Sequence, residues 1–162
     1  MNLPSLFRQY NTQHFAGQIP LIPVRWNSRL RTTAGACHYR RGWDGKAIPN
    51  HIALNPHILR GDPDKLRDTL LHEMTHALLT SKYGKRVGHN AEFHRVLSQA
   101  LGRSSTRCHS YDIAHLQRWE ICCKSCGRLG AFRSRRSSSL RRKVHAICGS
   151  DLYYRENREY SL

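Results

Sequence analysis

The stretch "LLHEMTHALL", residues 70–79, sets His72, Glu73 and His76 into an otherwise apolar run. Two imidazoles and a carboxylate among leucines carry a desolvation cost that calls for a compensating partner. The surrounding punctuation is that of a helix: Asp62 suits the cap, Pro63 the first helical position, and Gly84 lies where the helix would stop. Leu66, Leu70, Met74 and Leu78 supply a core-facing stripe between those signals. Residues four apart on a helix share a face, so His72 and His76 can bind one metal ion together. Glu73 is close enough to reach a coordinated water without being a ligand. This is the H-E-x-x-H arrangement of zinc hydrolases, in which zinc lowers the pKa of its water towards about 7 and the glutamate is the general base.

A catalytic zinc keeps three protein ligands and one open position. The third ligand must come back to the site after the helix ends. His89 follows in "YGKRVGHNAEFHRV", beyond two glycines that let the chain turn, and loop geometry favours it. Glu92 and His94 compete, Glu92 because some H-E-x-x-H enzymes use a helical glutamate. A second helix is expected after Asn90, with Phe93, Val96, Leu97 and Leu101 on its apolar side and Gly102 near its end.

Upstream, Leu3, Leu6, Phe7 and Tyr10 recur at helical spacing, and that helix should end near "NTQHFAGQIP". "LIPVRWN", "RTTAGACHYRR" and "HIALNPHIL" read as strands, with "RGWDGKAIPN" a turn or loop between the last two. "HIALNPHIL" is either an edge strand that pairs with extended substrate or a plain core strand. Strands followed by helices predict an α+β fold.

The combination of "TLLHEMTHALL" and "GHNAEFH", with "NTQHFAGQIP", "VRWNSRL", "TAGACHYRR" and "IALNPHIL" in the same order, resembles the SprT-like zinc metalloproteases of the Spartan type. The resemblance implies a small zincin-like metalloprotease domain, helices packed on a small sheet. It also implies that the histidine of a G-H-x-x-x-F element is the third ligand, here His89 between Gly88 and Phe93. Proteases of this type degrade proteins trapped on DNA and are switched on by DNA, so DNA and DNA-bound proteins are the expected partners.

The tail carries a second cluster. "WEICCKSCGRLG" gives Cys123 and Cys126 as C-x-x-C with Gly127 for the tight turn, and "KVHAICGSDLYY" gives His145 and Cys148 with Gly149. Together they predict a closed, structural Cys3His zinc site in a zinc-ribbon-like β module, with Cys122 as the alternative to Cys123. So small a module would take much of its folding energy from the metal. The family resemblance implies such a C-terminal zinc subdomain as well. Cys37 reads as a small core residue and Cys108 as structural, without a partner at useful spacing.

The 162 residues carry 27 Lys and Arg against 11 Asp and Glu, a formal +16 with a pI near 10.3. Such charge attracts DNA, RNA or an anionic membrane surface. No apolar run approaches the roughly 20 residues that span a bilayer, and the N-terminus lacks a signal core. The expectation is an intracellular monomer with reduced cysteines, in the nucleus of a eukaryote or the cytoplasm and nucleoid of a prokaryote. The division expected is 1–117 for the metalloprotease domain and 118–162 for a basic module. The module holds 11 Lys and Arg against 4 Asp and Glu, the denser patch. "RSRRSSSLRRK", residues 133–143, reads as mobile and basic. Trp119, Arg133, Arg135, Arg136, Arg141, Arg142 and Lys143 are the expected DNA contacts, on single-stranded or structured DNA, because bases stack on rings while cations track phosphates. Phe132, Tyr153 and Tyr154 serve equally as core or stacking residues.

Three readings compete: a DNA-activated protease acting on DNA–protein crosslinks, a non-proteolytic zinc-containing DNA-binding or regulatory protein, and a general zinc peptidase indifferent to DNA. An intact Glu73 counts against the second, since a structural zinc has no use for a base beside it.

Overall fold

A computed structural model describes residues 2–105 and 111–160. Cys108 lies outside the described residues. The chain forms two compact units, Met1–Ser110 and Tyr111–Leu162.

The first unit is α+β. Helix α1 (Leu3–Phe15) begins under an Asn2 cap and ends at Ala16 in the left-handed region. Buried Asn11 then pins the loop that follows: its amide donates to Ile19 O at 2.8 Å and its Oδ1 accepts from Ile19 N at 3.1 Å. Strands β1 (Val24–Trp26), β2 (Gly35–Arg41) and β3 (Ala47–Leu54) make one sheet in the order β1-β3-β2. β1 runs parallel to β3 and β2 antiparallel to it. β3 is therefore the central strand, with Ile52, Ala53 and Leu54 fully buried. That corrects the edge-strand option for "HIALNPHIL"; β1 and β2 are the edges.

β3 also begins earlier than the sequence suggests. Pro49 argues against strand, yet it pairs with Tyr39 beside a bulge at His38/Tyr39, and β1 joins β3 only from Ile52 onward. The end of "HIALNPHIL" is not strand either. Asn55 caps a single helical turn, α2 (Pro56–Leu59), with Pro56 in the first turn.

Helix α3 (Pro63–Tyr83) starts under Asp62, whose side chain accepts from Lys65 N, and stops at Gly84 with φ 63°. Leu66, Leu70 and Met74 of its stripe are buried, while Leu78 is half-buried. Helix α4 (Ala91–Leu101) begins under Asn90 and ends at Gly102, burying Phe93, Leu97 and Leu101. α3 packs against β2 and β3 on one side and against α4, so its middle turns run through the core.

The second unit is a three-stranded antiparallel sheet, β4 (Trp119–Cys123), β5 (Gly127–Arg133) and β6 (Leu152–Glu156), ordered β5-β4-β6. Its first residues are held by buried Asn157, whose amide donates to Ala114 O at 2.8 Å and Gln117 O at 2.9 Å. Residues 114–117 thus belong to this unit, ahead of the boundary expected after 117. The basic stretch 133–143 is not featureless: a 3-10 turn, Ser138–Arg142, buries Leu140, and Ser137 N donates to Tyr154 Oη at 3.1 Å.

Candidate metal centres

The middle of α3 faces β2, and the loop after it brings His89 back. His72, His76 and His89 then form one cluster of potential ligand atoms. His72 Nε2 and His76 Nε2 lie 3.0 and 3.1 Å from His89 Nε2. A tetrahedral zinc with Zn–N bonds of about 2.0–2.1 Å sets its ligand nitrogens roughly 3.3–3.4 Å apart. The donor set fits.

The orientation of the rings supports that fit. His76 Nδ1 donates to Val87 O at 3.0 Å, which leaves Nε2 as a lone pair aimed at the cluster. Fully buried Phe93 wedges against all three rings, with centroids 4.9 Å from His72, 4.4 Å from His76 and 4.7 Å from His89. Burial, and then the neighbouring His89, hold the His76 imidazole down at about 4, so the neutral ligand form dominates near neutral pH. His72 is buried, His76 half-buried and His89 exposed, so the cluster opens on one side. A catalytic metal needs such an opening.

Glu73 is 7% exposed beside this cluster. Burial lifts its carboxyl to about 7, opposed by the hydrogen bond from the Cys37 backbone N–H. Gly35, at the start of β2, is what lets the strand come this close. A Cβ there would stand 2.8 Å from Thr69 Cγ2, 3.0 Å from Glu73 Cγ and 3.2 Å from Glu73 Oε1. Gly35, Val87 and the Cys37 amide were not singled out by the sequence. The glycine in "TAGAC" was a visible signal, but its reason is a contact across the fold.

The competing third ligands lie elsewhere. Glu92 accepts from Tyr83 Oη at 2.7 Å and Lys82 Nζ at 3.1 Å. His94 pairs through Nδ1 with Ser105 Oγ at 2.9 Å.

In the second unit, Cys123, Cys126, His145 and Cys148 form another cluster. Cys148 Sγ lies 3.4 Å from both Cys123 Sγ and Cys126 Sγ, and 3.3 Å from His145 Nδ1. Zinc thiolates at about 2.3 Å put sulfurs roughly 3.8 Å apart, so this donor set is also of the right size and chemistry. Two knuckles shape it. Gly127 and Gly149 both take left-handed φ, 75° and 70°, just past Cys126 and Cys148. The Ser150 backbone N–H, then His145, hold the Cys148 thiol well below its usual range, towards the thiolate a metal requires. Cys122, next along β4, is buried in the unit's core and outside the cluster.

The basic residues divide by environment. Half-buried Trp119 carries the guanidiniums of Arg136 at 4.4 Å and Arg118 at 5.2 Å over its ring. Arg136 and Arg141 line a cavity of about 510 Å³ with Leu152, Tyr153 and Tyr154. Arg133 donates to Phe132 O at 2.6 Å. Arg135, Arg142 and Lys143 are exposed outside that cavity. Arg128 and Arg155 are committed to Glu120, 1% exposed, at 2.7 and 2.8 Å.

Among the described residues, no helix is long and apolar enough to cross a membrane. Comparison with known proteins places these features. The chain is 38% identical to the human DNA-dependent metalloprotease SPRTN over 117 residues, 68% of this chain and 23% of that protein. It is 35% identical to the DNA-dependent metalloprotease dvc-1 of Caenorhabditis elegans over 135 residues, 77% of this chain and 36% of that one. Similarity to the germ cell nuclear acidic protein of Drosophila melanogaster is 29% over 150 residues, 86% of this chain and 14% of the relative. The chain thus spans only a minor part of these relatives' length. The SprT-like family model matches residues 3–115, which takes in α1 to α4 and the whole histidine cluster, and the chain belongs to the SprT-like family.

Proposed function

We propose that the chain is a DNA-dependent zinc metalloprotease that cleaves proteins bound or crosslinked to DNA. The observation that carries this is the convergence of three Nε2 atoms, with contacts of 3.0 and 3.1 Å, beside a buried carboxylate and open on the His89 side. His72, His76 and His89 would hold the catalytic ion; Cys123, Cys126, His145 and Cys148 would hold a structural one. A zinc ion at the histidines supplies Lewis acidity to water and to the scissile carbonyl.

The chain's own residues do the rest. Glu73, with its pKa about 7, accepts the proton of the attacking water and returns it to the leaving amine. The Cys37 amide holds the carboxylate in place, and the Val87 carbonyl fixes the ring of His76. β2, an edge of the sheet beside Glu73, is available for an extended substrate to add as a further strand. The first unit acts as the protease and the second as the basic zinc module that recruits DNA through Trp119, Arg136 and Arg141. The names of the SPRTN and dvc-1 relatives, DNA-dependent metalloproteases, support the same reading, as does the +16 charge. A protein with this task acts wherever the cell's DNA is.

The test is cleavage of a DNA-binding protein with and without single-stranded DNA, comparing wild type with Glu73→Gln at matched zinc content. The expected result is DNA-stimulated cleavage by wild type and a loss of about 10²–10⁴-fold in the variant. Cleavage indifferent to DNA would leave a general zinc peptidase. No cleavage by either protein, with zinc and DNA bound, would make the chain a non-proteolytic binding protein.

A further inference from the structure

The turn between β2 and β3 carries a feature that the protease site does not use. Trp43 stands at its tip with a relative exposure of 101%, so the ring lies open to solvent. It is nevertheless held on a defined turn: Gly42 N donates to Lys46 O at 2.7 Å and Gly45 N to Gly42 O at 3.0 Å. An exposed indole on a hydrogen-bonded turn is an unused stacking surface.

At the foot of the same turn is a cavity of about 260 Å³, lined by Tyr39, Arg40, Arg41, Gly45, Ala47 and Arg86. Three of these are arginines and none is acidic. Among the described residues, Arg40, Arg41 and Arg86 form no ion pair with an acidic group. Arg86 lies over the Tyr39 ring at 5.2 Å, and Arg41 crosses Gly45, its guanidinium 3.6 Å from where a Cβ would be. The turn's acid, Asp44, is already taken, by Lys46 Nζ at 3.0 Å and Lys46 N at 3.1 Å. The result is a cationic seat with room for a phosphodiester, two residues from a free aromatic face.

We propose that this turn and Arg86 form a single-stranded nucleic-acid contact on the protease unit, a base stacking on Trp43 and the adjoining phosphate seated among Arg40, Arg41 and Arg86. Rings that stack any base, combined with cations that track phosphates, are how proteins hold single strands without reading sequence. Arg86 adjoins Val87, whose carbonyl orients His76. A strand held here therefore runs beside the loop that carries His89. The inference rests on the DNA-dependent reading and adds a second contact, separate from the basic module, on the cleaving unit itself.

The test uses the full zinc-loaded chain with 5-fluorotryptophan at Trp26, Trp43 and Trp119, observed by 19F NMR during titration with oligothymidylate. Trp43→Phe assigns the resonance, and fluorescence anisotropy of the labelled oligonucleotide gives total binding. The expected result is a saturable shift of the Trp43 signal that weakens at least tenfold in Arg40→Ala/Arg41→Ala/Arg86→Ala. These are exposed positions, so the fold should tolerate the change. A Trp119 shift with Trp43 stationary would confine DNA to the second unit and overturn this contact alone. An unchanged Trp43 titration in the arginine variant would overturn the phosphate seat. No binding by anisotropy would remove both this contact and the DNA-dependent reading. A Trp43 signal that answers only to phosphatidylserine vesicles would make the turn a membrane contact instead.

Discussion

Glu73 and His76 lie three residues apart on α3, and burial moves their protonation in opposite senses. Glu73 is raised to about 7 by burial, so between about pH 4.3 and 7 the folded chain keeps a proton that the unfolded chain releases. Its contribution to stability is full below that window and is lost as pH rises through it, on the order of 3 kcal/mol in metal-free protein. His76, lowered to about 4 by burial and by His89, does the reverse: the unfolded chain takes up a proton that the folded one refuses, and stability grows as pH rises towards about 6.5. The two slopes oppose each other in wild type. In Glu73→Gln only the histidine slope survives, so urea unfolding in chelator should show the variant gaining on wild type steadily from pH 4.5 to 7. Parallel profiles would mean that Glu73 is not buried as described. Gly35 offers a second test of the same carboxylate. Gly35→Ala puts a methyl 2.8 Å from Thr69 Cγ2 and 3.0 Å from Glu73 Cγ, and overpacking of this kind costs about 1–3 kcal/mol. The larger effect should fall on kcat, at least tenfold down, because the proposed base is what moves. Thr69→Ser removes the nearest clashing methyl and should recover part of it; no recovery would mean that the loss has another cause.

At the scale of elements, what could be read in the sequence was what local chemistry decides. α3 begins and ends as its punctuation says, because Asp62, Pro63 and Gly84 act on their own neighbours. α4 follows the same logic between Asn90 and Gly102. That His72 and His76 share one face is legible for the same reason, being set by helical spacing. β3 departs from that local reading at both ends. Pro49 is tolerated only because a bulge and a missing neighbour relieve that part of the strand, and neither is written near Pro49. Its place at the centre of the sheet depends on a parallel partner 28 residues upstream, as Val24 pairs with Ile52. Asn55 shows how such a tertiary role adds to a local one. Asp62 and Asn55 both cap helices, but the Asn55 amide also donates to Leu30 O at 3.0 Å and Thr33 O at 3.1 Å, fully buried. Asp62→Ala should cost the smaller amount, that of an exposed cap alone. Asn55→Ala should cost about 2–4 kcal/mol, since it also removes the two hydrogen bonds to Leu30 O and Thr33 O. Equal losses in urea denaturation would show that the loop 30–33 does not depend on Asn55.

The two units differ in what holds them together, and this decides how the whole molecule should respond to losing metal. The first unit buries a core drawn from α1, the sheet, α3 and α4, with Phe7, Ile52, Leu54, Leu66, Leu70, Leu71, Met74, Phe93 and Leu97 all at 2% exposure or less. Such a core does not need an ion to fold. The second unit's buried apolar residues are Leu116, Ile121, Cys122, Cys123 and Leu140, among the described residues, and Cys123 belongs to the proposed metal set. A unit with so little apolar surface relies on the Glu120 pairs with Arg128 and Arg155 and on the proposed metal cross-link between its two knuckles. Chelation should therefore act unevenly. Hydrogen exchange after treatment with a strong chelator should show amides of β4 and β5 exchanging freely, while those of α3 keep their protection. Cys148→Ser should reproduce the effect in the second unit with the histidine cluster intact. His76→Ala should abolish cleavage and leave β4 and β5 protected. If α3 opened together with β4 on chelation, the two units would fold as one, and the ion at the histidines would be structural as well as chemical.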